Sequence, residues 1–216
     1  MKAEQGLEHL IRTEHPNMLD ELSPFAPAGA DVSTEDLLAK TLVEFDAVRK
    51  IERRGISTSL SNPDRFLTLL GDVHQSVGGG GSALRRGPVF IRPDSKGNVI
   101  SFPPAEMCEP LLRALSTFIE KNIGRFPGLC IIVAYVGIIH AHPYRDANGR
   151  TARVIANILL RQRCAPSHFM PLSKLALVSQ SGFLIKLRRA LYGGDWQPLL
   201  DFWIEALRLS IRLQTV

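Results

Sequence analysis

The segment HPYRDANGRTAR, residues 142–153, concentrates polar chemistry between two apolar stretches of the chain. The preceding residues 129–139 are nearly all apolar, and a run of this length predicts a buried core helix rather than a strand. The Asn148-Gly149 pair predicts a tight turn, and Ala, Ile, Leu and Arg recur at helical spacing after Ala152. We therefore predict that the segment is the turn between two packed helices.

The start of the second helix is predicted to bind an anion. Backbone N–H groups in the first turn of a helix lack internal partners and carry partial positive charge. Arg150 and Arg153 are three residues apart, so both guanidinium groups share one face of the helix and can bind phosphate oxygens. Two cations at the positive end of a helix are unfavourable alone, which is a reason to expect an anion there.

Two further side chains suggest what happens at this anion site. Asp146 would repel a bare phosphate, but its carboxylate suits Mg²⁺ that bridges phosphate oxygens. His142 titrates near neutral pH and suits a general base for an incoming hydroxyl, whereas Tyr144 is expected to anchor the loop by burial. These groups predict phosphoryl or nucleotidyl transfer. A metal pair of His140 and His142 is the alternative, although no third ligand is evident.

The chain before this segment contains two predicted helices. Ser33 and Asp36 suit a capping box, and apolar residues then recur at helical spacing as far as Ile51, with Gly55 as a stop signal. Asn62-Pro63 suits an N-cap followed by proline in the first turn of a helix that runs toward His74. Residues 78–82 read GGGGS and predict a flexible connection, which is either an engineered linker or a native mobile loop.

Residues 88–102, PVFIRPDSKGNVISF, differ from their helical surroundings. Two short β-prone runs flank a turn cluster, which predicts a β-hairpin. An isolated hairpin is marginally stable in water and has exposed edges, so it either packs against the protein or pairs with another chain. Amphipathic helices are predicted over residues 111–119 and 199–213, and we expect a mainly α protein, a helical bundle with one hairpin.

Length and composition favour one globular domain. The 216 residues are 45% hydrophobic and 22% charged, enough to bury a core. We divide the chain into an extension of unclear role, residues 1–32, and a domain, residues 33–216. The net charge is +5, but the arginine pairs at 53/54, 85/86 and 188/189 suit solvated helix ends better than a nucleic-acid surface.

Cysteine usage and hydropathy predict where the protein works. Cys108, Cys130 and Cys164 are odd in number and far apart, which suggests neither a disulfide framework nor a zinc site. The N-terminal residues lack the apolar core of a signal peptide, and no apolar run approaches the roughly 20 residues of a membrane span. We expect a cytoplasmic protein without a membrane or nucleic-acid partner, and export by another route is the alternative.

The segment 142–153 resembles the signature of Fic-domain proteins, H-x-F-x-[D/E]-G-N-G-R-x-x-R. Six positions match in register: His142, Asp146, Asn148, Gly149, Arg150 and Arg153. Tyr144 replaces the usual phenylalanine and adds a phenol oxygen that needs a partner if buried. Ala147 replaces the first glycine; it keeps the backbone N–H, but it is expected to lose access to positive φ and to place a methyl group near the phosphates. The resemblance covers about residues 34–207 and includes the hairpin.

The resemblance implies a protein adenylyltransferase that moves AMP from ATP to a serine, threonine or tyrosine hydroxyl. It implies His142 as the base, Asp146 as the Mg²⁺ ligand, the turn at 147–150 as the phosphate cradle, and Arg153 on the terminal phosphate. The hairpin at 88–102 would align a target protein by β-strand addition. Related proteins transfer phosphate, UMP or phosphocholine, and a degenerate Fic fold that only binds nucleotide is a third possibility.

Many Fic proteins are restrained by a glutamate in an [S/T]-x-x-x-E-[G/N] motif that pairs with the arginine matching Arg153. Ser116 and Glu120 have the spacing, but Lys121 follows, and we interpret this match as chance. A restraining segment is therefore expected on a separate antitoxin chain, or to be absent. A role as a toxin, or as an effector delivered into a host cell, is implied by the resemblance alone.

Overall fold

The computed structural model describes residues 34–54, 62–91, 100–164, 168–173, 175 and 180–214. The chain forms two compact units, one of residues 46–159 and one of residues 1–45 with 160–216. The 1–32 extension and the predicted Ser33 cap lie outside the described residues. All of the predicted site residues fall in the first of these units.

Within the described residues, two helices precede the strands. Helix α1 spans Thr34–Arg53 and ends where the sequence predicts, with basic residues in its last turn. Helix α2 spans Pro63–Ser76, and the Asn62 side chain accepts hydrogen bonds from the backbone N–H groups of Asp64 and Arg65. The predicted N-cap and first-turn proline are therefore confirmed for α2.

The two strands are short. Strand β1 is Phe90–Ile91 and strand β2 is Ile100–Ser101; they pair antiparallel, with Phe90 opposite Ser101 and Ile91 opposite Ile100. Residues 92–99, which would connect them, lie outside the described residues. The predicted hairpin over 88–102 consequently stays a prediction as a whole.

Three helices build the core around the predicted site. Helix α3 spans Cys108–Asn122, directly after a short 3-10 turn at Ala105–Met107, and packs on helix α4, which spans Pro127–Ala141. Helix α5 spans Asn148–Arg163, so Asn148 and Gly149 lie in its first turn and the predicted tight turn at this pair is wrong. The expectation that residues 129–139 form a buried helix is confirmed, since α4 buries most of its side chains. Gly137 permits close packing here because a Cβ atom would lie 2.9 Å from a Leu115 methyl carbon.

The second unit contains helix α6, Gln180–Gly193, and helix α7, Gln197–Gln214, which pack on each other. Helix α7 confirms the predicted terminal helix. Phe183 and Phe202 meet across this pair with ring centroids 5.1 Å apart. The start of α1 joins this unit through Phe45, which packs edge-on against Phe169 at 5.2 Å. No helix in the described ranges has the length and apolar character to cross a membrane.

Candidate active site

The predicted turn begins at the C-terminal end of α4. His142 is the residue that ends the helix; its backbone N–H donates to the Ile138 carbonyl, and its φ of 45° and ψ of 57° are left-handed. A left-handed residue is a common way to end a helix, but glycine or asparagine usually occupies the position. A non-glycine residue there is strained by about 1–2 kcal/mol. The backbone at His142 is therefore held by its surroundings.

The imidazole of His142 is half-buried beneath an aromatic ring. Phe102 stacks on it with ring centroids 3.7 Å apart and an interplanar angle of 17°. The Nδ1 atom is enclosed and has no well-formed hydrogen bond within the described part of the chain, although the Ile139 backbone lies near enough to affect the ring. Because Nδ1 is enclosed, Nε2 is the nitrogen that can meet a substrate.

Burial is the main reason that the pKa of His142 is lowered from its ordinary value. Arg85 lowers the pKa further, whereas the Ile139 backbone and the Asp146 carboxylate partly oppose the shift. A lowered pKa means that the neutral imidazole predominates at neutral pH. His142 is therefore in the protonation state that a general base requires.

Asn148 holds the loop between the two helices in shape. Its side-chain oxygen accepts from the Tyr144 backbone N–H at 2.9 Å, and its side-chain nitrogen donates to the Tyr144 carbonyl at 2.8 Å. The Asn148 side chain is buried and both of its polar ends are used in this way. The predicted contribution of Asn148 to a phosphate cradle is consequently left to its backbone.

Tyr144 is the buried anchor that the sequence predicts, with only 2% of its surface exposed. Its ring stacks on His74 at 3.7 Å between centroids and 12° between planes. The added phenol oxygen has no hydrogen-bond partner within the described part of the chain, and burial, followed by Asp72, raises the pKa of Tyr144 above its usual range. The ring, rather than the hydroxyl, therefore accounts for the anchoring.

His74 is a site residue whose partners sequence reasoning did not find. Its ring nitrogens lie within hydrogen-bonding distance of two backbone carbonyl oxygens, Gly81 at 2.5 Å and Asp146 at 3.2 Å. His74 is buried and so links α2, the glycine stretch and the signature loop. The sequence placed His74 near the end of the predicted second helix, but the Asp146 carbonyl that it contacts is 72 residues away in the chain.

The glycine stretch at 78–82 contacts helix α2 through Gly79. A Cβ atom on Gly79 would lie 2.3 Å from the His74 ring, so that position requires glycine. Its backbone N–H donates to the His74 carbonyl at 2.8 Å. A Cβ on Gly80, in contrast, would contact nothing within 4 Å. The two predicted origins of this stretch, an engineered linker or a native mobile loop, stay predictions.

Asp146 and Arg150 form an ion pair at the mouth of the loop. The Asp146 carboxylate lies 3.3 Å from the Arg150 guanidinium, and the Asp146 side chain is 89% exposed. Arg150 also donates to the Val77 carbonyl at 2.8 Å. Arg150 is therefore oriented by two protein groups, whereas the Asp146 carboxylate keeps most of its surface for a ligand.

Ala147 differs from its sequence-based expectation. Its φ is 60°, so the residue adopts the left-handed conformation that the substitution of glycine was expected to exclude. Its carbonyl accepts from the Thr151 backbone N–H at 2.9 Å and thereby starts α5. Ala147 is also buried. The substitution of glycine therefore costs backbone strain.

The guanidinium of Arg153 lies over the first turn of α5. A Cβ atom on Gly149 would be 3.2 Å from a terminal nitrogen of Arg153, so the arginine side chain reaches back along the helix to this glycine. The Arg153 guanidinium thus lies beside the N-terminal turn of α5, as the spacing predicts.

Arg85 was expected to be a solvated helix-end residue, and that interpretation is wrong. Its side chain is 6% exposed and donates to the carbonyl oxygens of His142 at 2.7 Å and Gly87 at 2.9 Å. Its neighbour Arg86 is exposed, in agreement with the expectation. Nothing in the local sequence distinguishes the two arginines, because the His142 carbonyl is 57 residues from Arg85.

The donor set at the loop fits a hard cation held mainly by a ligand. Within the described residues, no three histidine, cysteine or acidic side chains cluster as a metal site, so a complete protein cage is not formed there. One exposed carboxylate, Asp146, is what Mg²⁺ typically uses when nucleotide phosphates and water supply the other oxygens. The side chains at the loop therefore fit a bound Mg²⁺ ion.

The chain is similar to known proteins in sequence and in fold. The model of the Fic/DOC family matches residues 34–160. The fold is similar to the crystal structure of a Fic family protein from Desulfovibrio desulfuricans G20, with a TM-score of 0.63 and 17% identity over 98% of this chain. This chain spans 62% of the length of that protein.

The fold is also similar to that of a Fic domain containing signaling protein from Bacteroides thetaiotaomicron VPI-5482. The TM-score is 0.55 and the identity is 15%; the match covers all of this chain and 97% of the other. At these identities the likeness concerns the fold.

Proposed function

Because the chain belongs to the Fic/DOC family, we propose that it is a protein adenylyltransferase that transfers AMP from ATP to a hydroxyl group of a target protein. The observation that carries the proposal is the environment of His142, whose pKa is lowered and whose Nδ1 is enclosed. A short loop separates His142 from the N-terminus of α5, where Arg150 and Arg153 lie. A base beside an anion site is the arrangement that nucleotidyl transfer needs.

His142 takes the proton from the target hydroxyl in this proposal. The enclosed Nδ1 leaves Nε2 as the acceptor, and stacking on Phe102 restricts rotation of the ring. The hydroxyl oxygen then attacks the α-phosphorus of ATP, the bond to the β-phosphate breaks, and pyrophosphate leaves. The product is a phosphodiester between AMP and the serine, threonine or tyrosine side chain.

The phosphates are bound by the turn at 147–150 and by Arg153. The first turn of α5 would offer its backbone N–H groups to the ligand, and the Arg153 guanidinium, which lies beside Gly149, would bind the terminal phosphate. Asp146 would hold Mg²⁺, which would neutralise the charge of the phosphates. Arg150 contributes by orienting Asp146 as well as by its own charge.

The target protein is proposed to dock on the hairpin at 88–102. The antiparallel pairing of Phe90–Ile91 with Ile100–Ser101 leaves strand edges to which an extended segment can add. Phe102 follows strand β2 directly and stacks on His142, so a segment paired there would lie close to the base. A separate inhibitory or antitoxin chain is the other partner that we propose.

ATP labelled at either the α- or the γ-phosphate tests the proposal. The purified protein is incubated with Mg²⁺ and a cell lysate, and labelled proteins are separated by gel electrophoresis. Label from α-labelled ATP alone, absent with His142→Ala, is the expected result. Label from γ-labelled ATP alone would replace adenylyl transfer by phosphate transfer, and no label from either would contradict transfer from ATP.

A further inference from the structure

Arg85 binds three consecutive carbonyl groups at the end of α4. The Arg85 side chain donates to the carbonyl oxygens of Ala141 at 3.4 Å and His142 at 2.7 Å, and its backbone N–H donates to the Pro143 carbonyl at 2.8 Å. The last carbonyls of a helix have no intrahelical donors. Arg85 thus satisfies three consecutive carbonyls around the strained left-handed backbone of His142.

The same guanidinium also contacts both sides of the strand pair. It donates to the Gly87 carbonyl at 2.9 Å, shortly before β1, and to the Pro103 carbonyl at 2.5 Å, shortly after β2. Pro103 follows Phe102, the residue whose ring stacks on His142. One planar cation therefore bridges the ends of the strand pair and the end of α4.

Arg85 is compensated by carbonyl dipoles. No carboxylate of the described residues lies within ion-pair distance of its guanidinium, and Arg85 is only 6% exposed. The C-terminal end of α4 carries the negative end of a helix dipole, which favours a cation there. Cys108 also donates to the Ala141 carbonyl, at 3.4 Å. A buried arginine with this many backbone contacts has a geometric role.

We propose that Arg85 is the positioning residue for His142, since it fixes the backbone of the base to the two ends of the strand pair that carries Phe102. Arg85 acts through His142 and does not touch substrate. The inference rests on the proposed function for its kinetic consequence. Its structural consequence, the fixed placement of the imidazole under Phe102, is independent of any activity.

Two substitutions and one matched control test this role. Lysine at position 85 keeps a charge but replaces the five donors of a planar fork with a single ammonium, so Arg85→Lys cannot bridge the same carbonyls. Arg85→Gln removes the charge as well. Arg86→Gln changes the exposed neighbour and is expected to alter nothing.

Nuclear magnetic resonance of labelled histidine gives the first measurement. In the wild type, the Phe102 ring current shifts the His142 ring C–H signals upfield; in folded Arg85→Lys protein we expect that displacement to disappear. An unchanged His142 signal in Arg85→Lys would overturn the proposal, whether or not the protein transfers AMP. This arm separates a failure of the positioning role from a failure of the proposed function.

Steady-state kinetics give the second measurement where transfer is observed. Arg85→Lys is expected to lower kcat by about 100-fold with little change in the KM for ATP, because a misplaced base affects the chemical step. Equal kcat in the Arg85→Lys and wild-type proteins would contradict the role. If neither variant folds, the wild-type Arg85 Nε–H proton decides: slow exchange with solvent supports the clamp, and exchange as fast as that of Arg86 overturns it.

Discussion

Two histidines of this protein stack on aromatic rings at the same centroid distance, 3.7 Å, yet their surroundings differ. His74, against Tyr144, is fully buried and has a backbone carbonyl beside each ring nitrogen. His142, against Phe102, is half-buried with an enclosed Nδ1 and a lowered pKa. The hydrogen-bond partners of the ring nitrogens therefore distinguish a histidine that holds a loop from one that is available for proton transfer.

The largest expected effect is the loss of transfer activity when His142 is replaced. His142→Ala should reduce transfer by about 10²–10⁴-fold, because a general base contributes that much to a proton-transfer step. ATP affinity should change little, since the cradle belongs to α5. Transfer assays and calorimetry measure the two quantities. His140→Ala, two residues earlier and outside the loop, is the control, and a similar loss of transfer there would favour the alternative metal pair.

The next effect concerns the cation over the first turn of α5. Arg153→Ala should weaken ATP binding by roughly 10- to 100-fold, as expected for loss of charge-assisted hydrogen bonds worth about 1.5–3 kcal/mol. AMP, which lacks the terminal phosphate, should lose far less affinity. Isothermal titration with both nucleotides measures the difference, and Arg163→Ala, exposed in the last turn of the same helix, should leave both unchanged. Equal losses for ATP and AMP would remove the assignment of Arg153.

The third effect concerns the surroundings of His74. Gly79→Ala should destabilise the protein by about 1–3 kcal/mol, because its methyl group would overlap the His74 ring. Chemical denaturation measures the change. Gly80→Ala is the matched control, since a Cβ there meets nothing within 4 Å, and it should leave stability nearly unchanged. If the two alanines behave alike, the contact between the glycine stretch and His74 is not a stabilising one.

The smallest expected effect is a gain. Ala147→Gly should raise the free energy of unfolding by up to about 1 kcal/mol, because glycine adopts a φ of 60° without the strain of alanine, less its own entropic cost. Because Ala147 is buried, we expect ATP affinity to stay within a few-fold of the wild type. A large rise in affinity would mean that the methyl group does obstruct the phosphates.

The sequence predicted features that depend on neighbouring residues. The N-cap at Asn62 and the buried helix before His142 follow from capping chemistry and hydrophobic spacing, and both are confirmed. The tight turn predicted at Asn148-Gly149 is wrong, because helix α5 already begins at Asn148. The burial of Tyr144 also follows, because an aromatic residue in a polar loop has few other uses.

Features that depend on distant residues were missed or misjudged. Arg85 and Arg86 are indistinguishable in sequence, and only the carbonyls at 141–143, brought close by folding, make one of them buried. The glycine stretch likewise reads as a linker until His74 lies against it. The conformation of Ala147 was judged from its own preference, whereas tertiary contacts impose the left-handed backbone.

The measurement that tests the central claim most directly compares His142→Ala with His74→Ala in the α-labelled ATP assay and in thermal unfolding. We expect His142→Ala to melt close to the wild type and to transfer no detectable label. We expect His74→Ala to lose about 2–4 kcal/mol of stability, as a buried aromatic ring is removed, and to keep transferring label below its melting temperature. Label transfer by His142→Ala, or its loss only in His74→Ala, would contradict the assignment of His142 as the base.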